Sequence, residues 1–165
     1  MTMTFRHLHK HAGFTLTELL ITVSIASIML SLAVPSFTNL ILTQNVWTSA
    51  SDLQTSLVFA RSEAIKRATS VSMVPSGGNW KNGWTVQLAN GTVLRKELAL
   101  NTQLASMTGG TITYQADGHI APPVPATIKV YVSSNSRITP RCLAIDLSGR
   151  PSLLVSDGNS AHGCS

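Results

Sequence analysis

Residues 14–34, "FTLTELLITVSIASIMLSLAV", constrain this chain more than any other stretch. They are apolar or small hydroxyl residues throughout, except for one carboxylate, Glu18. At about 1.5 Å per residue, a helix of that length spans roughly 30 Å, the hydrocarbon thickness of a bilayer. The preceding residues 1–13, "MTMTFRHLHKHAG", are basic and contain no acid, a flank that keeps the N-terminus cytoplasmic and sends the rest across. An ordinary secretory signal is the competing reading. The apolar run is longer than such a signal's core, however, and continues into a second helical pattern where a cleavage site would be expected.

That second pattern covers residues 36–68. Val46, Ala50, Leu53, Leu57, Ala60, Ala64 and Ala68 recur every three or four positions, the spacing of one helical face. Ser56, Glu63, Lys66 and Arg67 are read as part of the polar remainder, with Glu63 and Arg67 in favourable i,i+4 order. Pro35 falls between the two patterns, where its ring removes a helical hydrogen bond and bends the helix. The amphipathic half is expected to lay its apolar stripe on a folded head.

After Val74, "VPSGGNWKNGW" holds too many turn formers for a helix. Short alternating strands are predicted at 84–89, 92–96, 111–116, 119–121, 127–133, 141–147 and 150–155, with turns at Asn90-Gly91, Asp117-Gly118 and Ser148-Gly149. The fold class is therefore α+β: a long N-terminal helix packed on an antiparallel β-sheet or sandwich. The expected divisions are 1–13, 14–35, 36–68 and 69–165.

The chain has 165 residues and a formal net charge of +5, falling to +3 without residues 1–13. This permits an anionic partner without requiring one. Cys142 and Cys164 lie 22 positions apart without the spacing of a metal site. If the head is exported, a disulfide between them is the natural reading over two free thiols.

"GFTLTELL", an apolar run and a proline together resemble the leader of type IV pilins and type II secretion pseudopilins. The resemblance implies cleavage between Gly13 and Phe14 by a prepilin peptidase and N-methylation of Phe14. "LQTSLVFARSEAIKRATSVSM", "GGNWKNGWTV" and "DLSGRPS" resemble the GspH/FimT family of minor pilins and pseudopilins. The implied fold is the pilin fold. The implied partners are the inner membrane and other pilins or pseudopilins in a helical filament, with the head periplasmic. Some FimT-type members that bind DNA carry G-R-x-R; here the stretch is Gly149-Arg150-Pro151-Ser152, without the second arginine.

A carboxylate in hydrocarbon costs several kcal/mol unless paired, roughly 3 on insertion scales. Glu18 is therefore an assembly residue whose expected partner is the Phe14 amine freed by cleavage, against a glutamate that merely reaches the headgroups. Arg137, Arg141 and Arg150, with Lys129 nearby, are a candidate phosphate-binding patch for DNA, against an ordinary solvated surface. No aromatic lies among them in sequence to stack bases. His7, His9 and His11 fall in the segment expected to be removed. Asp117 and His119 are read as turn chemistry, and Trp80 and Trp84 as packing. No catalytic constellation and no cofactor is expected. A type IV pilus subunit, with DNA uptake as a further role, is the favoured reading. A type II secretion pseudopilin is the alternative, and a membrane-anchored periplasmic binding protein or enzyme is the remote one.

Overall fold

The computed structural model describes residues 13–100, 103–104, 110–122 and 127–156, without the side chains of 33–35. One helix, α1 (Leu16–Arg67), is followed by seven strands: β1 (Val71–Pro75), β2 (Trp84–Leu88), β3 (Val93–Glu97), β4 (Ile112–Tyr114), β5 (Ile128–Val130), β6 (Arg141–Ile145) and β7 (Pro151–Val155). The chain divides into two compact units between Thr38 and Asn39.

In the first unit α1 is wrapped in exposed apolar side chains, including Leu19, Leu20, Ile21, Val23, Ile25 and Ile28. The hydroxyls of Thr22, Ser24, Ser27 and Ser31 each donate to a carbonyl three or four residues back, so no polar group of theirs needs water. The best window of α1 has a mean hydropathy of 2.1, long and apolar enough to cross a membrane.

The second unit is the head. Leu42, Val46, Ala50, Leu53, Leu57, Ala60 and Ala64 are buried along one stripe of α1. They join one core with Val71, Met73, Val86, Ile112, Ile128, Val130 and Leu143 from the strands. The stripe mixes large residues with small ones, Ala50, Ala60 and Ala64, and is flanked by buried Ser49 and Ser56. Ser56 and Glu63, expected on the polar side, are 0% and 8% exposed. Ala68, expected on the stripe, is instead exposed and past the helix end, with φ of 49°. The amides of Ala68 and Thr69 donate back to Ile65 and Ala64 and satisfy the last carbonyls of α1.

The strands form two antiparallel sheets, ordered β3-β2-β1-β4 and β5-β6-β7. In the first, Met73 opposes Val86 on one side and Ile112 on the other, which aligns the buried residues on one face. In the second, Ile128, Leu143 and Leu153 align, and Val130, Arg141 and Val155 form the next row on the same face. β1 was not expected as a strand, although it is central to its sheet; its five residues end in Pro75 and run straight into turn formers. The expected strand at 119–121 reduces to a bridge between Tyr114 and Ile120.

Three hairpin turns share one design. The amides of Gly91, Gly118 and Gly149 donate to the carbonyls of Leu88, Gln115 and Asp146, and the strands close one residue later. Among the described non-glycine residues only Ala68 has positive φ. Asn90 and Asp117 are therefore not in the left-handed conformation that a two-residue Asn-Gly or Asp-Gly turn requires. Each glycine instead occupies the left-handed position closing a three-residue loop.

Candidate functional site: the helix start and two basic ends of the head

Gly13 and Phe14 are exposed at the start of the described chain, and no atom lies within 4 Å of where a Gly13 side chain would begin. Glu18 sits in the first turn of α1. The backbone N–H and the hydroxyl of Thr15 donate to one Glu18 oxygen, Oε2, at 2.9 and 2.8 Å. The Glu18 N–H donates back to the Thr15 hydroxyl at 3.2 Å. This is a capping box, in which the cap residue and the residue three positions on satisfy each other's amides. Thr15 was missed in the sequence, although "TLTE" has the required spacing. The pattern explains how one chain tolerates the carboxylate: Oε2 is occupied within its own first turn, and Oε1 accepts no hydrogen bond from the described residues.

The basic residues do not gather in one place. Arg141 begins β6, while Arg150 follows the turn at the other end of the β6–β7 hairpin, beyond the Ile145–Pro151 pair. Lys129 opposes Cys142, off the face that carries Arg141, and its ammonium lies 5.8 Å from the Tyr131 ring centre.

At the Arg150 end, Arg61 of α1 joins turns from both sheets. Its Nε donates to the Gly118 carbonyl and its terminal nitrogen to the Ser148 carbonyl, each at 3.1 Å. A side chain on Gly149 would collide with the Gly118 carbonyl and the Tyr114 ring. Both turns thus press together beneath one guanidinium. Asp146 accepts from the Ser148 hydroxyl and the Arg150 amide, which hold its carboxyl below the usual range. Tyr114 is wholly buried, and burial pushes its phenol up to about 12. Asp117 and His119 pair at 3.2 Å in the open, and Asp117 also accepts from the His119 amide. The amide bond is the leading cause of its lowered pKa. These are contacts within one turn.

At the other end, Thr43, Gln44 and Trp47 of α1 line an open depression with Arg141. The Arg137 loop is tied to the same end, because Asn135 Nδ2 donates to Asn39 Oδ1 at 2.7 Å. An aromatic therefore does stand beside one of the arginines. It comes from 94 positions earlier and was invisible in the local sequence.

Trp80 and Trp84 are buried edge-to-face, with ring centres 6.4 Å apart, as packing residues. Cys142 is buried and is not a free thiol. Cys164, His7, His9 and His11 lie outside the described residues. Pro35 lies inside α1. Among the described residues no group of three potential ligands could hold a metal ion.

A long helix with an apolar first half, a capped glutamate in its first turn and a second half buried under two small antiparallel sheets defines a type IV pilin-like subunit. Residues 8–34 match the prokaryotic N-terminal methylation motif. Residues 49–149 match the model for the type II transport protein GspH, and the chain belongs to that family. Two crystal forms of the Pseudomonas aeruginosa (strain PAO1) type IV minor pilin FimU share the fold. One is 23% identical with a TM-score of 0.59, covering 69% of this chain and 94% of that one. The other is 24% identical with a TM-score of 0.57, covering 67% and 97%. A comparison with curated proteins found no match.

Proposed function

We propose that the chain is a minor pilin subunit, cut between Gly13 and Phe14 by a prepilin peptidase, methylated at Phe14, held in the inner membrane and then drawn into a filament. The observation that carries this is the first half of α1, whose apolar side chains from Phe14 to Leu32 are exposed all round among the described residues. Lipid covers them before assembly, and neighbouring helices cover them afterwards. The Phe14 amine freed by cleavage pairs with Glu18, whose Oε1 accepts no hydrogen bond from the described residues while Oε2 serves the helix cap. Pro35 gives α1 a place to bend between membrane and head. A Cys142–Cys164 bridge ties down the C-terminal tail after export.

The type IV pilus reading is supported by the shared fold with a minor pilin. The match to the type II transport protein GspH favours a second reading, a pseudopilin of a protein secretion system. An epitope-tagged chain tests the common core. Gly13→Asp should accumulate as a precursor of higher mass. Glu18→Leu should be processed and remain in the membrane fraction while disappearing from sheared filaments. A processed Gly13→Asp chain, or filaments containing Glu18→Leu at the normal level, would refute the corresponding step. Loss of surface pili, as opposed to loss of an exported protein, on deleting the gene separates the two systems.

A further inference from the structure

We infer that Asn90, at the tip of the β2–β3 hairpin, is a site of spontaneous deamidation, so that each head acquires a carboxylate there as it ages. This lies beyond filament assembly and applies to either filament system.

The chain holds two Asn-Gly pairs, Asn82-Gly83 and Asn90-Gly91. In such a pair the glycine nitrogen can reach the asparagine side chain, because glycine places no Cβ beside the attacking atom. The nitrogen gives up its proton and bonds to Cγ, the Cγ–Nδ2 bond breaks, and ammonia leaves. Water then opens the succinimide ring at one of its two carbonyls, giving aspartate or isoaspartate. The net change is asparagine and water to an acid and ammonia, with nothing oxidised or reduced.

Local structure separates the two pairs. Ala89, Asn90, Gly91, Thr92 and Val93 are all exposed, and no atom lies within 4 Å of where a Gly91 side chain would begin. The Gly91 N–H donates to the Leu88 carbonyl at 2.9 Å, a bond that an exposed tip opens at little cost. The Thr92 N–H donates to Asn90 Oδ1 at 3.0 Å. That oxygen gathers charge as Cγ is attacked, so a donor already stands where it is needed. Gly83 is held instead. It is buried beside buried Trp84, and a side chain there would overlap the Glu97 carbonyl of β3. Its amide donates to the Trp80 carbonyl at 3.1 Å, and its carbonyl accepts from the Ser76 amide at 2.9 Å. Turning this glycine toward Asn82 would break both bonds and the close approach to β3.

Asp117-Gly118 has a carboxyl in place of the amide and is protected twice. The His119 amide holds the Asp117 carboxyl below its usual range, and the ionised group is a poor target for attack. Gly118 is buried, and a side chain there would overlap Ile65.

The two products at position 90 differ in consequence. Aspartate keeps an oxygen for the Thr92 N–H. Isoaspartate adds a carbon to the main chain inside a loop closed by the Leu88 N–H donating to the Thr92 carbonyl at 2.9 Å, which loosens the start of β3. Either product lowers the formal net charge of +5 by one.

The test incubates the full chain, in neutral detergent, in heavy-oxygen water at mildly alkaline pH. Peptide mass spectrometry over several weeks separates the two products and marks only acid formed during the incubation. The Asn90 peptide should take up label, with the Asn82 peptide slower by roughly tenfold or more. In guanidinium neither glycine is held, and the two should convert at similar rates. Asn90→Gln moves the amide carbon one methylene away, and Gly91→Ala crowds the attacking nitrogen. Each should slow conversion at position 90 by about tenfold in the native chain. Asn90→Gln is an exposed change that should leave the melting temperature unaltered, so its effect is on the chemistry alone. An Asn90 peptide that stays unlabelled in the native chain would overturn the inference. So would equal native rates at Asn82 and Asn90, or a rate at position 90 that Asn90→Gln leaves intact.

Discussion

The two halves of α1 are built from similar apolar residues and use them in opposite ways. From Leu16 to Leu32 the large apolar side chains are exposed, Leu20 at 57% and Ile28 at 63%. From Leu42 to Ala64 one stripe is buried almost completely, Leu53 and Leu57 at 0%. The difference lies in patterning. The first half is apolar on every side, so no single folded domain can cover it. The second alternates apolar and polar every three or four residues, and one face suffices. An apolar surface covered within the chain is fold; one left uncovered needs a second environment.

Leu57→Ala against Leu20→Ala breaks that comparison most directly. Leu57→Ala deletes buried methyls from the core and should cost about 2–5 kcal/mol of head stability. Leu20→Ala should change the same denaturation midpoint by less than about 0.5 kcal/mol, the usual range for exposed sites. Guanidinium unfolding in detergent, followed by buried tryptophan emission, reads both. Equal effects would mean that the first half is packed against the head.

The contrast is sharpened by Gly149→Ala, which acts through backbone alone. Gly149 has φ of 80°, and an added side chain would meet the Gly118 carbonyl and come within 3.0 Å of Tyr114 Cε1. Backbone strain and overpacking together should cost about 3 kcal/mol, seen as a lower melting temperature. An unchanged melting temperature would show that the two turns do not press together.

Arg61→Ala comes next. It leaves the Gly118 and Ser148 carbonyls without their guanidinium and should cost about 1–3 kcal/mol, the value of charge-assisted hydrogen bonds to a partly buried partner. Arg61→Lys should recover only part of this, since an ammonium cannot present two fixed donors in one plane. Full recovery in the lysine variant would argue for charge alone.

Local periodicity made the buried stripe legible, because Val46, Ala50, Leu53, Leu57, Ala60 and Ala64 share a face whatever they pack against. The Asn90-Gly91 hairpin was legible for a similar reason, although the glycine closes a longer loop than expected. The Glu63–Arg67 pair was visible as i,i+4 and forms at 2.6 Å. The burial of Glu63 was not, because it depends on what covers the helix. The meeting of Trp47 with Arg141 required the tertiary fold to bring together residues 94 positions apart. Thr15 differs from these: its capping box with Glu18 lies within four consecutive residues and needs no tertiary contact.

The smallest expected effect concerns the end of the buried half. Ala68 was read as one more buried position because the three-four spacing continues through it, but that spacing holds only while the helix does. Thr69 N–H reaches back to the Ala64 carbonyl at 3.2 Å, and this closure requires the intervening residue to turn left-handed. Ala68 adopts φ of 49°, at a steric cost that a glycine would not incur. Ala68→Gly should therefore stabilise the head by about 0.5–1 kcal/mol, the relieved strain less the extra freedom glycine has when unfolded. Chemical denaturation of the two proteins side by side measures it. A loss of stability would mean that α1 continues through Ala68, and with it the buried stripe that the spacing implied.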